Sequence, residues 1–318
     1  MATHRIHHRT VTVRGLDVYY REAGPADAPV LLLLHGFPSS SHMFRDLIPL
    51  LADRYRVIAP DHIGFGRSAT PDPAEFRYTF DELAGITEEF TDLLGLERYA
   101  LYIQDYGAPI GLRLALARPE RVTAIVTQNG NAYEEGLGAE AWAPVLALIE
   151  KRTPQTEAPV REIYSPEGIK WQYLHGVPDP TLVSPDAYEH DTARIARPGQ
   201  AEIQLDLISD YGANFALYPA FHAYFRESRV PLLAVWGAHD EIFVPEGALA
   251  FRRDLPEAEI HLLPAGHFAL ETHADQVAAL IRDFLARTLR HGNGPGSLLV
   301  ADLPARVRGA DQPMCGYP

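Results

Sequence analysis

Asp105, Asp240 and His267 are far apart in a chain of 318 residues, yet their local settings match. Asp105 follows the apolar run Tyr99–Ile103 and Gln104, and precedes Tyr106-Gly107-Ala108-Pro109, where a helix can begin. A strand that turns sharply into a helix through small residues lifts the side chain at the turn above the sheet, the setting of a nucleophile elbow. Gly107 keeps the second small position of small-x-nucleophile-x-small, while Ile103 occupies the first. Asp240 ends Trp236-Gly237-Ala238-His239-Asp240, and His267 lies in Gly266-His267-Phe268, each just past an apolar run. A carboxylate beside a histidine fixes the tautomer and orientation of the imidazole, so this pair reads as acid and base. An aspartate with an ordinary pKa of about 3.9 is ionised at neutral pH and needs no base to activate it. It can displace a leaving group from saturated carbon, and a water activated by His267 can then hydrolyse the ester. Taken alone, Asp105 would read as a helix N-cap, His267 as a packing histidine and Asp240 as a turn residue. Their shared placement at strand ends points to chemistry.

The frame that holds them is an alternation of strands and helices. Thr10–Val13 and Leu16–Tyr20 flank Arg14-Gly15 as a hairpin. Val30–Leu34, Arg56–Pro60, Tyr99–Ile103 and Val122–Thr127 are continuously apolar, as strands buried on both faces must be. Helical spacing is predicted over Ser41–Leu51, Phe80–Leu94 and Ala108–Ala117. Alternation of this kind implies a mostly parallel, doubly wound α/β sheet. From about Asn131 to His222 no apolar strand stands out, and the segment is rich in Pro, Tyr and short helical pieces. Strands resume at Pro231–Trp236 and Glu259–Leu263, before a last helix over Ala274–Arg290. The expected organisation is a discontinuous core (1–131 and 223–290), a helical cap (132–222) and a Gly/Pro-rich tail (291–318). A short docked piece is expected at Ser297–Ala301.

Composition narrows the partners. Lys plus Arg is 28 and Asp plus Glu is 42, a net charge of −14, which repels nucleic acid and anionic membrane surfaces. The lone cysteine, Cys315, forms no intrachain disulfide. No secretory leader or membrane span is read, so the chain reads as cytoplasmic, with a homodimer left open. His4, His7 and His8 have no carboxylate or thiol partner nearby in sequence, and neither a metal nor a cofactor is expected.

With His35-Gly36-Phe37-Pro38 after the first buried strand, Asp61–Ser68 after the next, and Asp105, Asp240 and His267 in that order, the sequence resembles the α/β-hydrolase superfamily over about residues 10–290. Within it, it is similar to the aspartate-nucleophile branch of epoxide hydrolases and haloalkane dehalogenases. The resemblance implies an α/β-hydrolase fold with an inserted cap, an alkyl-aspartyl ester on Asp105, and an oxyanion hole from the backbone N–H groups of Phe37 and Tyr106. Asp61 and Arg67 read as structural, and His35 as ordering its own loop.

The leaving group divides the branch. An epoxide oxygen leaves as an alkoxide and needs a proton, for which family epoxide hydrolases use cap tyrosines. The insertion offers Tyr133, Tyr164, Tyr173, Tyr188, Tyr211 and Tyr218. Tyr211 falls where the family's second ring-opening tyrosine falls, and Tyr164 is the choice for the first. Trp171, Tyr173 and His175 are candidates for the pocket wall. Dehalogenases hold halide with the indole of a tryptophan after the nucleophile, and that position is Tyr106 here. Tyr102-Ile103-Gln104-Asp105, by contrast, looks dehalogenase-like. The leading expectation is hydrolysis of a small, neutral epoxide by water. A haloalkane or haloacid dehalogenase is the alternative, and a non-catalytic receptor or scaffold of the same fold is the reading from another class.

Overall fold

The apolar runs pair into one eight-stranded sheet, in the order β1-β2-β4-β3-β5-β6-β7-β8. The computed structural model describes residues 5–291. The hairpin β1 (His7–Val13) and β2 (Leu16–Ala23) is antiparallel, and β2 runs antiparallel to β4 (Arg56–Pro60). From β4 onward, β3 (Val30–Leu34), β5 (Tyr99–Gln104), β6 (Val122–Gln128), β7 (Leu232–Gly237) and β8 (Glu259–Leu263) pair in parallel. β5 and β7 are buried along their whole length, whereas the edge strand β8 is largely part-exposed. This is the mostly parallel α/β-hydrolase fold that the sequence implied.

Helices cover both faces. They are α1 (Leu47–Leu51), α2 (Phe80–Leu93), α3 (Gly107–Ala117), α10 (Pro245–Asp254) and α11 (Leu270–His291). Between β6 and β7 come α4 (Ala139–Glu150), α5 (Pro154–Ile163), α6 (Pro166–Leu174), α7 (Pro185–Ile195), α8 (Gln200–Asp210) and α9 (Gly212–Ser228). Proline within the first two positions starts α5, α6 and α7, where its missing N–H costs nothing.

Three boundaries differ from expectation. The single helix read over Ser41–Leu51 is a short 3₁₀ turn, Ser41–Phe44, followed by α1. Pro49 has no N–H to return to the Arg45 carbonyl, so one continuous helix cannot form. α9 runs unbroken through His222, so the helical insertion extends to Ser228, where Arg229 turns the chain out at φ 50°. α11 starts at Leu270, before the expected Ala274, with a bend at His273. The expected tail after His291, with Ser297–Ala301 and Cys315, lies outside the described residues, as does His4. Among the described residues no helix is long and apolar enough to cross a membrane.

Candidate active site

The end of β5 delivers Asp105 in a left-handed conformation, φ 48°, which a non-glycine residue adopts only under strain. Ala108 N–H donates back to the Asp105 carbonyl at 2.9 Å, which closes the turn as α3 begins. Ile103 fits at the first small position of the elbow because the helix makes the room. A Cβ at Gly111 of α3 would stand 2.5 Å from the Ile103 methyl. On the other side, a Cβ at Gly36 would stand 2.2 Å from Asp105 Oδ1, so the β3 loop approaches as closely as it does only with glycine there.

Asp105 is 6% exposed. Phe37 N–H donates to its Oδ1 at 2.6 Å, and Tyr106 N–H also donates to the carboxylate. Burial pushes its pKa up, opposed by the positive potential of His267 and by those two amides. The expectation of an ordinary carboxylate pKa is therefore corrected, since the side chain lies almost out of water.

His267 Nδ1 bonds Asp240 Oδ2 at 2.8 Å, and its Nε2 stands 4.0 Å from Asp105 Oδ2. Both His267 and Asp240 are 3% exposed. Burial lowers the His267 pKa, but the charge and hydrogen bond of Asp240, with the charge of Asp105, outweigh it and leave the imidazole raised. Gln104 fixes the tautomer. Its Oε1 accepts from Gly36 N–H at 3.1 Å, which turns its NH₂ toward His267 Nε2 at 3.0 Å. Nε2 is then the acceptor, and Nδ1 carries the proton shared with Asp240.

Asp240 is held in turn. Asn129, at φ 48° just past β6, donates from Nδ2 to Asp240 Oδ2 at 2.6 Å and accepts from Gly237 N–H at 3.1 Å. Ile242 N–H donates to Oδ1 at 2.8 Å. Gln128 donates to the His267 carbonyl at 2.8 Å and accepts from the Tyr102 hydroxyl at 2.9 Å. Sequence reasoning missed Gln104, Gln128 and Asn129. Their signal was the one used for Asp105, namely polar residues at the ends of apolar strands.

Two further loops are tied by internal hydrogen bonds. Asp61 accepts from Ser41 N–H and Arg67 N–H, each at 2.7 Å. His35 Nε2 accepts from His62 N–H at 3.0 Å, and burial pushes the His35 pKa down to about 4, so the ring ties its loop as a neutral group.

A cavity of about 250 Å³ opens above Asp105. Its wall is chiefly apolar and aromatic, including Phe37, Tyr106, Trp142, Trp171 and Phe243. The charged residues on it are Asp105 and the exposed Glu140. The Trp142 indole N–H is already given to the Ile242 carbonyl at 2.9 Å. Trp171 is 41% exposed and stacks on His175, which meets Glu241 at 3.1 Å, so His175 stands behind the wall. Tyr164 and Tyr211 stand just behind the wall in ring contact with it, Tyr164 on Phe37 at 5.3 Å and Tyr211 on Tyr106 at 6.2 Å. The hydroxyls of Tyr106 and Tyr164 are buried without a partner, whereas Tyr211 shares a hydrogen bond with Tyr218. Burial, above all, raises all three phenols, so they are protonated at neutral pH. Two other candidates for the wall or for proton donation are engaged elsewhere: Tyr173 with Asp191 and Phe268, and Tyr133 with Asp254.

The family described as alpha/beta hydrolase fold matches residues 29–167 and 181–274. The chain is 45% identical over 282 residues to an uncharacterized hydrolase of Saccharomyces cerevisiae, covering 88% of this chain and 97% of that protein. It is 31% identical over 274 residues to haloalkane dehalogenase 2 of Mycobacterium bovis, covering 83% and 90%. A solved loop variant of haloalkane dehalogenase DbeA from Bradyrhizobium elkanii is similar at TM-score 0.73 and 25% identity, covering 92% of this chain and 100% of that one.

Proposed function

The chain belongs to the α/β-hydrolase family, in its dehalogenase-like branch, and from that premise we propose that this enzyme opens small neutral epoxides through an ester on Asp105. Asp105 Oδ2 is the free carboxylate oxygen facing His267, while Oδ1 is tied to the Phe37 amide. Oδ2 attacks an epoxide carbon, the ring C–O bond breaks, and the departing oxygen takes a proton from a phenol. We assign that proton to Tyr211, whose ring packs on that of Tyr106 beside Asp105 and whose hydroxyl shares a hydrogen bond with Tyr218. Tyr164 then supplies a supporting hydrogen bond. His267 Nε2 next takes a proton from water, and the hydroxide adds to the Asp105 carbonyl carbon. The Phe37 and Tyr106 amides hold the charge on Oδ1, one such donor being worth about 3 kcal/mol. Collapse releases the diol oxygen, which takes the proton from the imidazolium. The proton left on the Asp105 carboxyl returns to the Tyr211 phenolate.

The observation that carries this reading is the set of donors at the cavity. The Tyr106 ring lines the cavity and the phenols of Tyr164 and Tyr211 pack just behind it, while the Trp142 N–H is spent on a backbone carbonyl. A cavity wall bearing Asp105 and Glu140, and no cation, also disfavours a carboxylate-bearing haloacid. The relatives named haloalkane dehalogenase favour a second reading, in which the same Asp105 displaces halide.

Mass analysis of the His267→Gln variant separates the two. Gln keeps a partner for Asp240 but cannot activate water, so the ester accumulates. With an epoxide, the peptide holding Asp105 gains the whole mass of the substrate. With a haloalkane, it gains the substrate less its halide. An adduct from haloalkanes alone supports the dehalogenase, and no adduct from either class removes the covalent pathway.

A further inference from the structure

Most arginines of this acidic chain sit against carboxylates, but one group does not. Arg21 on β2, Arg67 in the loop after β4, and Arg194 and Arg197 at the end of α7 make no ion pair with any described residue. They converge on the seam between the sheet and the inserted helices. Arg21 donates from Nε to Ser41 Oγ at 3.1 Å, and its Nη2 lies 3.4 Å from His42 Nδ1. The His42 ring stacks across the seam on His190 of α7, with centroids 4.2 Å apart. Arg67 lies over the Tyr19 ring at 5.8 Å. Arg197 uses Nε on the Arg194 carbonyl at 3.1 Å, and its Nη2 is buried with no partner.

The positive charge is concentrated enough to be felt by its neighbours. Burial first, then His190, Arg45, Arg21 and Arg67, push the His42 pKa down to about 3. Burial, then Arg194, Arg21, Arg67 and Arg45, lower that of His190. Arg45 itself is neutralised by Glu271 at 2.6 Å, and Asp191 beside His190 is occupied by the Tyr173 hydroxyl at 2.5 Å. Asp61 is spent on the backbone amides of Ser41 and Arg67. Arg21 is repelled by Arg67 and Arg197 by Arg194, and the Asp61 carboxylate offsets only part of that charge. Leaving a buried donor unpaired is costly, more so for a charged group. A compact multivalent oxyanion would relieve the repulsion and fill the donors, since planar guanidinium forks match phosphate geometry.

We propose that the seam between β2, the loop after β4 and the end of α7 is a binding site for a phosphate-type oxyanion, held by Arg21 and Arg67 from the sheet side and by Arg194 of α7 and Arg197 just beyond it. None of these residues lines the cavity above Asp105, so the site stands apart from the reaction. Because its donors come from both sides of the seam, an anion there ties α7 to the sheet.

Thermal unfolding of the full chain tests this, with inorganic phosphate compared against chloride at matched ionic strength. Phosphate should raise Tm by about 3–5 °C over chloride, as a ligand binding only the folded state does. Arg21→Gln and Arg194→Gln, one from each side, should each abolish most of that rise. Arg252→Gln, an arginine without an ion pair elsewhere on the surface, should keep it. If Arg21→Gln does not fold, Arg67→Gln, which is exposed, takes its place. A rise with glycerol phosphate as well as with inorganic phosphate identifies a phosphomonoester as the ligand, whereas a rise with inorganic phosphate alone identifies the free ion. No rise over chloride, or an equal rise in wild type and all variants, overturns the site.

Discussion

On the sheet side of the cavity the polar atoms of Asp105, Asp240 and His267 are held by named partners. Phe37 N–H, Asn129 Nδ2, Ile242 N–H and Gln104 Nε2 all converge on them within 2.6–3.0 Å. On the helical side the Tyr164 hydroxyl, the Ser209 hydroxyl and both polar atoms of the Gln204 amide are buried without a partner. An unmet buried polar group costs about 1–3 kcal/mol, whereas one fixed by several hydrogen bonds costs little and is held in place. The floor is therefore organised before substrate arrives, whereas polar atoms behind the roof stay unmet. The difference suits the proposed reaction, with bond-making on the floor and leaving-group choice and substrate fit at the roof.

The largest effect should come from disturbing the floor. Gly36→Ala places a methyl carbon 2.2 Å from Asp105 Oδ1, so the nucleophile or the Phe37 amide must move. A misplaced nucleophile and a misplaced oxyanion donor are each worth about 10²-fold, so kcat/KM should fall on the order of 10⁴-fold. Steady-state kinetics on an epoxide, beside a thermal melt showing a folded protein, measure this. A folded Gly36→Ala variant within tenfold of wild type would mean that the floor tolerates displacement.

Tyr211→Phe probes the roof where it comes nearest to chemistry. A general acid contributes about 10²–10⁴-fold, and the value should lie at the low end because the Tyr106 phenol packs against it. The loss should appear in the single-turnover rate of Asp105 esterification by an epoxide and be absent from ester hydrolysis. Tyr164→Phe should lose less than Tyr211→Phe. An unchanged esterification rate in Tyr211→Phe removes the roof from proton transfer.

These two regions were also unequally legible in the sequence. Asp105, Asp240 and His267 each follow an apolar strand within four residues, so local pattern alone places them at one end of a parallel sheet. Phe37 and Tyr106 meet the Asp105 carboxylate through backbone N–H groups, which any residue type would supply, and only their place after β3 and β5 marks them. The roof depends on how six helices pack, and that is not local information. Tyr164 and Tyr173 both lie within helical segments of similar composition, yet one turns to Phe37 and the other to Asp191. The end of α9 was misplaced for a related reason. Its residues carry no strong breaker at His222, and the helix continues through Pro219 to the left-handed Arg229. Gln104 and Asn129 were passed over because a polar residue ending a strand looks like punctuation until a tertiary partner is seen.

Acidity sharpens the account of the floor at a level of about tenfold in rate per pH unit. The Asp105 pKa is raised by burial, so esterification should fail, as pH drops, above the ordinary aspartate range near about 3.9. The His267 pKa is raised against burial by Asp240 and by Asp105. Ester hydrolysis needs neutral imidazole, so its rate should climb with pH through that value and level off above it. Once Asp105 is esterified its charge is gone, and one of the influences raising His267 goes with it. NMR titration of His267 in the free enzyme should therefore give a higher midpoint than the pH profile of ester hydrolysis. Equal midpoints would mean that Asp105 and His267 do not sense each other across 4.0 Å.

The smallest effect belongs at the rim. Trp171 is 41% exposed and packs on His175, which meets Glu241 at 3.1 Å, beside Asp240 in the chain. It makes no hydrogen bond to Asp105 or His267 among the described residues, so Trp171→Ala should remove apolar contact with substrate and little from the bond-making machinery. Burying part of an indole is worth about 1 kcal/mol, which corresponds to roughly a fivefold rise in KM. With kcat unchanged, the lost binding was uniform between ground and transition states. A fall in kcat larger than tenfold would show that the rim reaches the floor through His175 and Glu241, and that the division between the two regions does not hold.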